Sequence, residues 1–303
     1  MARAGLVDTA PGPFYTRSVH NSFIPMAWRK VANARVRFSS DLADFRKQHG
    51  FNAGNVFTTT NPKTGKNTAP TIVLHLEPVT FGACPAAGSC AALCLHKAGN
   101  PAALPNKIQR RRKRSIANFT APDLFGRLLV IEAARFAGKG YKGVRLNGTS
   151  DHAWEERIVQ LTGTDCDLVN KFAGVMLVPG KDYNLVEVMV KLGLMPYDYT
   201  KRIDRDLAYC KSLGYHLTLS YGGKHDDVVF DVAREYGLNV AAGVYGVKKG
   251  QPLPQTINGF PVIDGDVTDW RRDDPSGQVH IVGLRIKRTP GQTAEQAKRF
   301  ALV

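Results

Sequence analysis

Short apolar runs recur along the chain from residue 71 onward, and most are followed by a stretch whose apolar positions fall at helical spacing. The runs are Thr71-Ile-Val-Leu-His-Leu76, Gly143-Val-Arg-Leu-Asn147, Pro196-Tyr-Asp-Tyr199, Tyr215-His-Leu-Thr-Leu-Ser220, Asn239-Val-Ala-Ala-Gly243, Phe260-Pro-Val-Ile263 and His280-Ile-Val-Gly-Leu-Arg-Ile286. Residues 175–178 read as a further strand or as part of an insertion. Between the runs the pattern predicts helices over 105–118, from Thr120-Ala-Pro122-Asp123 to Gly138, from about 153, and over 184–192, 203–212 and 226–236. Leu124, Leu128, Ile131 and Phe136 supply an apolar stripe for the second of these, and Gly237 closes the last.

Strands alternating with helices give an α/β class: a (βα) barrel or partial barrel with a mainly parallel sheet, with a doubly wound sheet as the alternative. Residues 1–66 form an irregular N-terminal extension rich in Pro, Gly, Asn, Ser and Thr. One helix is expected within it near 40–49, capped by Ser40 and ended by Gly50. The barrel-like domain then spans 67–290, and 291–303 is a tail, dispensable after Thr289.

In either architecture ligands bind beyond the carboxyl ends of the strands, so the polar residues that follow each run are the site candidates. They are Asp151, Asp198, Lys201 and Asp266 for acid–base chemistry, and Asn147, Ser150, Tyr199 and Ser220 for substrate contacts. Each also has a structural reading: Asp151 and Asp266 as helix caps, Asp198 paired with Arg202, the tyrosines as packing groups.

The loop after the first strand adds three thiols, Cys84, Cys90 and Cys94, within eleven residues of a chain that has five cysteines. An odd count and no secretory leader point to a reducing cytoplasm, where clustered thiols read as metal ligands rather than disulfides. Three thiolates suit three irons of a [4Fe–4S] cluster with the fourth iron left open. With His96 they suit a structural zinc, and without metal they are small buried side chains.

Charge widens the set of partners. Lys and Arg number 41 against 26 acidic residues, a net charge of +15. A positive field of that size favours a polyanion, so nucleic acid or a nucleotide is the expected partner. The run Arg110-Arg111-Arg112-Lys113-Arg114 concentrates this charge on a helix, with Lys248-Lys249 and Arg285-Ile-Lys287-Arg288 adding to it. Five consecutive charges cannot share one helix face, so the run contacts phosphates, serves as a nuclear-localisation signal or is partly solvated. Bases are not expected to stack there, because no aromatic residue interrupts the run. No stretch approaches the ~20 apolar residues needed to span a bilayer.

The motifs Cys84-Pro85-x-Ala87-x-x-Cys90-Ala91-x-x-Cys94-Leu95, Val144-Arg-Leu-Asn-Gly-Thr-Ser-Asp151 with Trp154-Glu155, Tyr197-Asp-Tyr-Thr-Lys201, Tyr215-His-Leu-Thr-Leu-Ser220 and Pro261-Val-Ile-Asp-Gly-Asp266 occur in one order. Together with Val282-Gly-Leu284 they resemble the bacteriophage family called Gene product 88, from about Thr71 to Lys287. That resemblance implies a phage origin, and with it the cytoplasm of a bacterial host cell, and brings no particular activity with it. In the placement of the thiols after the first strand, the chain is also loosely similar to radical S-adenosylmethionine enzymes. Its C-x5-C-x3-C spacing departs from their C-x3-C-x2-C, and Gly148-Thr-Ser-Asp151 stands where they carry Gly-Gly-Glu. The expectation is an iron–sulfur enzyme acting on nucleic acid or a nucleotide. The alternative is a non-catalytic nucleic-acid-binding protein with a structural zinc.

Overall fold

The structure, a computed structural model, describes residues 37–303 except 52–55, 60–63, 79, 95, 97–103 and 287–290. The extension up to residue 36 and the basic pair Lys287-Arg288 lie outside the described residues. Helix α1, Ser40–Gln48, turns Leu42 and Phe45 inward. Its cap position is Ser39, whose hydroxyl is taken by Arg127 instead of by a helix N–H.

The strands are β1 (Phe57–Thr58), β2 (Thr71–Leu74), β3 (Gly143–Arg145), β4 (Ile158–Gln160), β5 (Asp182–Asn184), β6 (Met195–Thr200), β7 (His216–Ser220), β8 (Val240–Val244), β9 (Thr256–Ile257), β10 (Phe260–Asp264) and β11 (Ile281–Arg285). Nine of them form one sheet in the order β1-β2-β3-β6-β7-β8-β11-β10-β9, and β4 pairs with β5 separately. Every ladder from β2 to β10 is parallel; β1 and β9 add short antiparallel edges. The interior strand β8, Val-Ala-Ala-Gly-Val, is buried throughout, as a parallel strand covered on both faces must be.

The helices joining these strands are α2 (Leu104–Thr120), α3 (Pro122–Ala137), α4 (Gly163–Ala173), α5 (Leu185–Lys191), α6 (Leu207–Ser212) and α7 (Val229–Tyr236), with α8 (Ala294–Phe300) after the last strand. Local chemistry sets their ends. Asn184 and Asp206 cap α5 and α6, Thr162 and Asp165 make a capping box on α4, and Gly174 and Gly237 take the left-handed turns that close α4 and α7. Pro122 opens α3, whereas Thr120 bonds back to the Ile116 carbonyl and is no cap.

The parallel α/β class is as expected, but a closed barrel is not: among the described residues the β1 and β9 edges do not pair, and the sheet stays open. Nor is it doubly wound. Strand order runs in one direction from β1 to β8, with the last three strands following in reverse as β11-β10-β9, and the first strands lie at one edge rather than at a central crevice. Side chains, not a ladder, link the two sides. The segment after β10 reaches the residues before β2, where Asn67 Oδ1 accepts from Thr268 Oγ1 at 3.2 Å and from the Asp269 N–H at 3.1 Å. Along the way Asp269 meets Arg145 of β3 at 2.5 Å, and Trp270 packs edge-on against Tyr197 of β6.

Two further expectations change. Residues 175–178 are irregular, and the β4–β5 pair beside them was not legible as alternation. The tail is part of the sheet: Leu302 donates to the Gly243 carbonyl, Tyr245 donates to that of Val303, and the Phe300 ring lies against Gly222 and Gly243. A Cβ on Gly222 would enter that ring, and one on Gly243 would meet the Ile286 side chain at 2.9 Å and the ring at 3.2 Å.

Candidate functional site at the strand carboxyl ends

The thiol loop lies over the ends of β6 and β7 and is fastened there by main-chain bonds. Cys90 donates its N–H to the Gly222 carbonyl at 3.0 Å, Lys224 donates to Ala86, and Ala87 bridges Gly223. Asp151 donates its N–H to the Ala83 carbonyl at 2.7 Å, tying the loop to the turn after β3. Gly88 permits the contact with β7, because a Cβ there would overlap the Gly223 carbonyl. Cys84, Cys90 and Cys94 are all half-buried, with Cys90 inside the 3-10 turn Ser89–Ala91; Cys166 and Cys210 are buried elsewhere. From the far side α8 packs on that turn, and Gln292 donates to the Ala92 carbonyl.

Cations face the loop. Lys201 Nζ donates to Ser220 Oγ at 2.8 Å, and with Arg111 it lies within electrostatic reach of Cys94. Burial pushes the Cys94 thiol up and Cys90 adds to this, while the two cations work in the other direction. Asp226 accepts from the N–H groups of Gly222 and Gly223 and so shapes the turn beside Lys201. Among the described residues, no three His, Cys, Asp or Glu side chains stand close enough together to hold a metal ion.

The expected carboxylates have internal partners. Asp198 is fully buried and accepts from the N–H groups of Leu146 and Asn147 and from the Tyr215 hydroxyl, with Arg145 at 3.6 Å. Burial raises its pKa to about 6 against the pull of Arg145 and these donors. Asp198 therefore braces the turn after β3 and does not pair with Arg202, which binds Asp204. Asp151 accepts from Thr200 Oγ1 at 2.7 Å and from the Lys201 N–H at 2.8 Å, so it is no helix cap. Beneath it Arg205 is buried in a two-pronged pair with Glu155, at 2.8 and 2.5 Å.

Asn147 and Ser150 are spent in the same turn. Asn147 Oδ1 accepts from Ser150 Oγ, the His152 N–H and Trp154 Nε1, all near 3.0 Å. Tyr199 lies under the Arg145 guanidinium, 5.0 Å from its ring centre, and burial raises its pKa. Asp266 stands with Asp264 around Arg285 at the end of β11. The fold thus gathers Lys201, Ser220 and the thiols, and places Asp266 and Tyr199 in separate settings.

The basic helix sorts its charges by face. Arg111 turns inward and donates to the His96 carbonyl at 2.9 Å, and buried Arg114 reaches the His75 carbonyl. Arg110, Arg112 and Lys113 are exposed, and Arg110 and Lys113 line a cleft of about 320 Å³ with Asn106 and Gln109. Sequence reasoning missed His75 at the end of β2. Burial among Arg111, Arg145 and Arg114 holds it near pKa 3, and its Nδ1 is buried without a hydrogen bond.

An open, mostly parallel α/β sheet with a thiol loop over its strand ends is the class these features define. A family model described as Gene product 88 matches residues 51–302, and the chain belongs to that family. No curated protein and no solved structure matches it. Among the described residues no helix is long and apolar enough to cross a membrane.

Proposed function

We propose that this phage-family protein is an enzyme working at the carboxyl ends of β6 and β7 on nucleic acid or a nucleotide, with an iron–sulfur cluster on Cys84, Cys90 and Cys94. One observation carries the reading: the thiol loop is bolted to the strand ends by Cys90–Gly222 and Asp151–Ala83, where Lys201 and Ser220 also converge. The donor set suits a soft metal, since the described residues of the loop offer three thiols and no carboxylate. Binding requires the loop to draw the thiols together and to release their protons, which the burial of Cys94 now retains. Such a cluster, when bound, supplies one-electron chemistry at an iron left open by the three thiolates.

The chain's own residues then have defined work. Lys201 offers an ammonium to an anionic substrate and is aimed by Ser220, while Asp151 and Asp198 hold the backbone on which Lys201 and the β3 turn depend. Anaerobic purification followed by metal analysis and visible absorption tests the reading. Iron, sulfide and a broad visible band that are lost in Cys90→Ser support it, and a colourless protein without iron overturns it.

A second reading, a non-catalytic nucleic-acid-binding protein with a structural zinc on the same thiols and His96, is favoured by the cationic cleft beside Arg110 and Lys113. One zinc per chain in the same metal analysis would select it.

A further inference from the structure

A second cleft, of about 240 Å³, opens where the start of the thiol loop, the end of α2 and the turn after β3 meet. Its lip is two exposed aromatic rings, Phe81 and Phe119, 5.2 Å apart and inclined by 32°. Exposed phenylalanines side by side are costly in water unless something covers them. Phe81 also sits at φ +56°, a left-handed backbone that bulky residues rarely take, and this conformation holds its ring at the lip.

The walls are polar. Arg157 donates to the Pro122 carbonyl at 3.1 Å and to Asn118 Oδ1 at 3.3 Å, and among the described residues no carboxylate lies within ion-pair distance of it. Its positive charge is therefore held by neutral oxygens, with Asp123 acting on it only from beyond ion-pair distance. The bond from Arg157 fixes the Asn118 carboxamide and leaves its amide nitrogen as a donor. His152 is kept neutral, its pKa lowered to about 4 by burial and by Arg157 and Arg202, and its ring nitrogens have no hydrogen-bond partner among the described residues.

We propose that this cleft binds an unstacked nucleobase, with the ring against Phe119 and Phe81, its edge on Asn118 and His152, and its phosphate toward Arg157. The ligand class rests on the nucleic-acid reading above; the site itself does not involve the thiols. The cleft is smaller than the roughly 300–1,000 Å³ of drug-sized pockets, which suits a single ring system. Aromatic faces accept any base, so the site is expected to be tolerant of sequence. Arg112 stands seven residues before Phe119 on α2, hence on the same face and about 10 Å along the axis, where it can follow the backbone of a strand whose base is held.

The test uses the full chain and three labelled probes: a thymidine oligonucleotide, an abasic oligomer of equal length, and thymidine monophosphate. Phe119 is 63 % exposed, so Phe119→Ala leaves the fold intact. The expected result is roughly tenfold weaker oligonucleotide binding by Phe119→Ala, matched by the abasic oligomer on the wild-type protein. Monophosphate binding that is also lost in Phe119→Ala identifies free nucleotide as a source of the base. Should the oligonucleotide bind the wild type while Phe119→Ala and the abasic oligomer bind equally well, the base site is overturned and the nucleic-acid reading stands. Monophosphate binding without oligonucleotide binding overturns the nucleic-acid reading and keeps the site. No binding of any probe overturns both.

Discussion

The N–H of Cys90 donates to the carbonyl of Gly222 at 3.0 Å, which sets the middle thiol of the loop on the end of β7. That approach depends on Gly88, where any side chain meets the Gly223 carbonyl. Gly88→Val should lift the loop at a cost of about 1–3 kcal/mol. Labelling of Cys90 by a thiol-reactive dye should accelerate, and an unchanged labelling rate would contradict the fastening described.

Arg205 and Glu155 are both buried and bonded to each other through two oxygens. Removing one partner leaves the other charged in the interior, so Glu155→Ala should cost about 3–5 kcal/mol in urea unfolding. The double change Glu155→Met with Arg205→Met should cost clearly less than either single change.

The two faces of the basic helix make separable predictions. Arg110→Ala with Lys113→Ala should weaken oligonucleotide binding and lower the slope of log K against log salt by about 2, with stability unchanged. Arg114→Ala should leave the slope alone and reduce stability, because its guanidinium is buried against the His75 carbonyl. A slope reduced equally by both would mean that the helix presents its charges differently.

His216, at the start of β7, is held near pKa 4 by burial and by Arg272 and Arg271, against an ordinary 6.5. Between these values the unfolded chain binds a proton that the folded chain refuses. Its contribution is therefore complete above pH 6.5 and is lost as pH falls toward 4. The stability advantage of wild type over His216→Gln should shrink by on the order of 2 kcal/mol between neutral and acid pH. A constant difference would assign the residue no part in the acid response.

Segment 291–303 should not be removable. Without it β8 loses the Leu302–Gly243 bond, and Gly222 and Gly243 lose the Phe300 ring that covers them. A chain ended at Thr289 should melt lower and expose apolar surface to a fluorescent dye, whereas an unchanged melting temperature would restore the view of this segment as an appendage.

Much of the sheet was legible, because a parallel strand buried on both faces must be apolar along its length. Asn239-Val-Ala-Ala-Gly243 and His280-Ile-Val-Gly-Leu-Arg-Ile286 announce themselves in that way. Closure was not legible, since it depends on whether two distant edges meet, and here β1 and β9 cap them. In the candidate site, position along a strand located Lys201 and Ser220 but could not say that Asp198 and Asn147 face inward to main-chain and side-chain donors. Arg205, Phe81, Phe119 and Arg157 carried no signal at all, because burial of an arginine and exposure of a phenylalanine are properties of the packed chain.

The clasp of Gln292 on Ala92, with α8 against the turn that holds Cys90, has a consequence for how the protein is made. The thiol loop emerges early in synthesis, yet its outer wall comes after every strand of the sheet. On a growing chain the turn that carries Cys90 therefore stands without its α8 wall until residues 292–300 have been made. Closure of this end of the molecule thus waits on a segment that follows the last strand of the sheet.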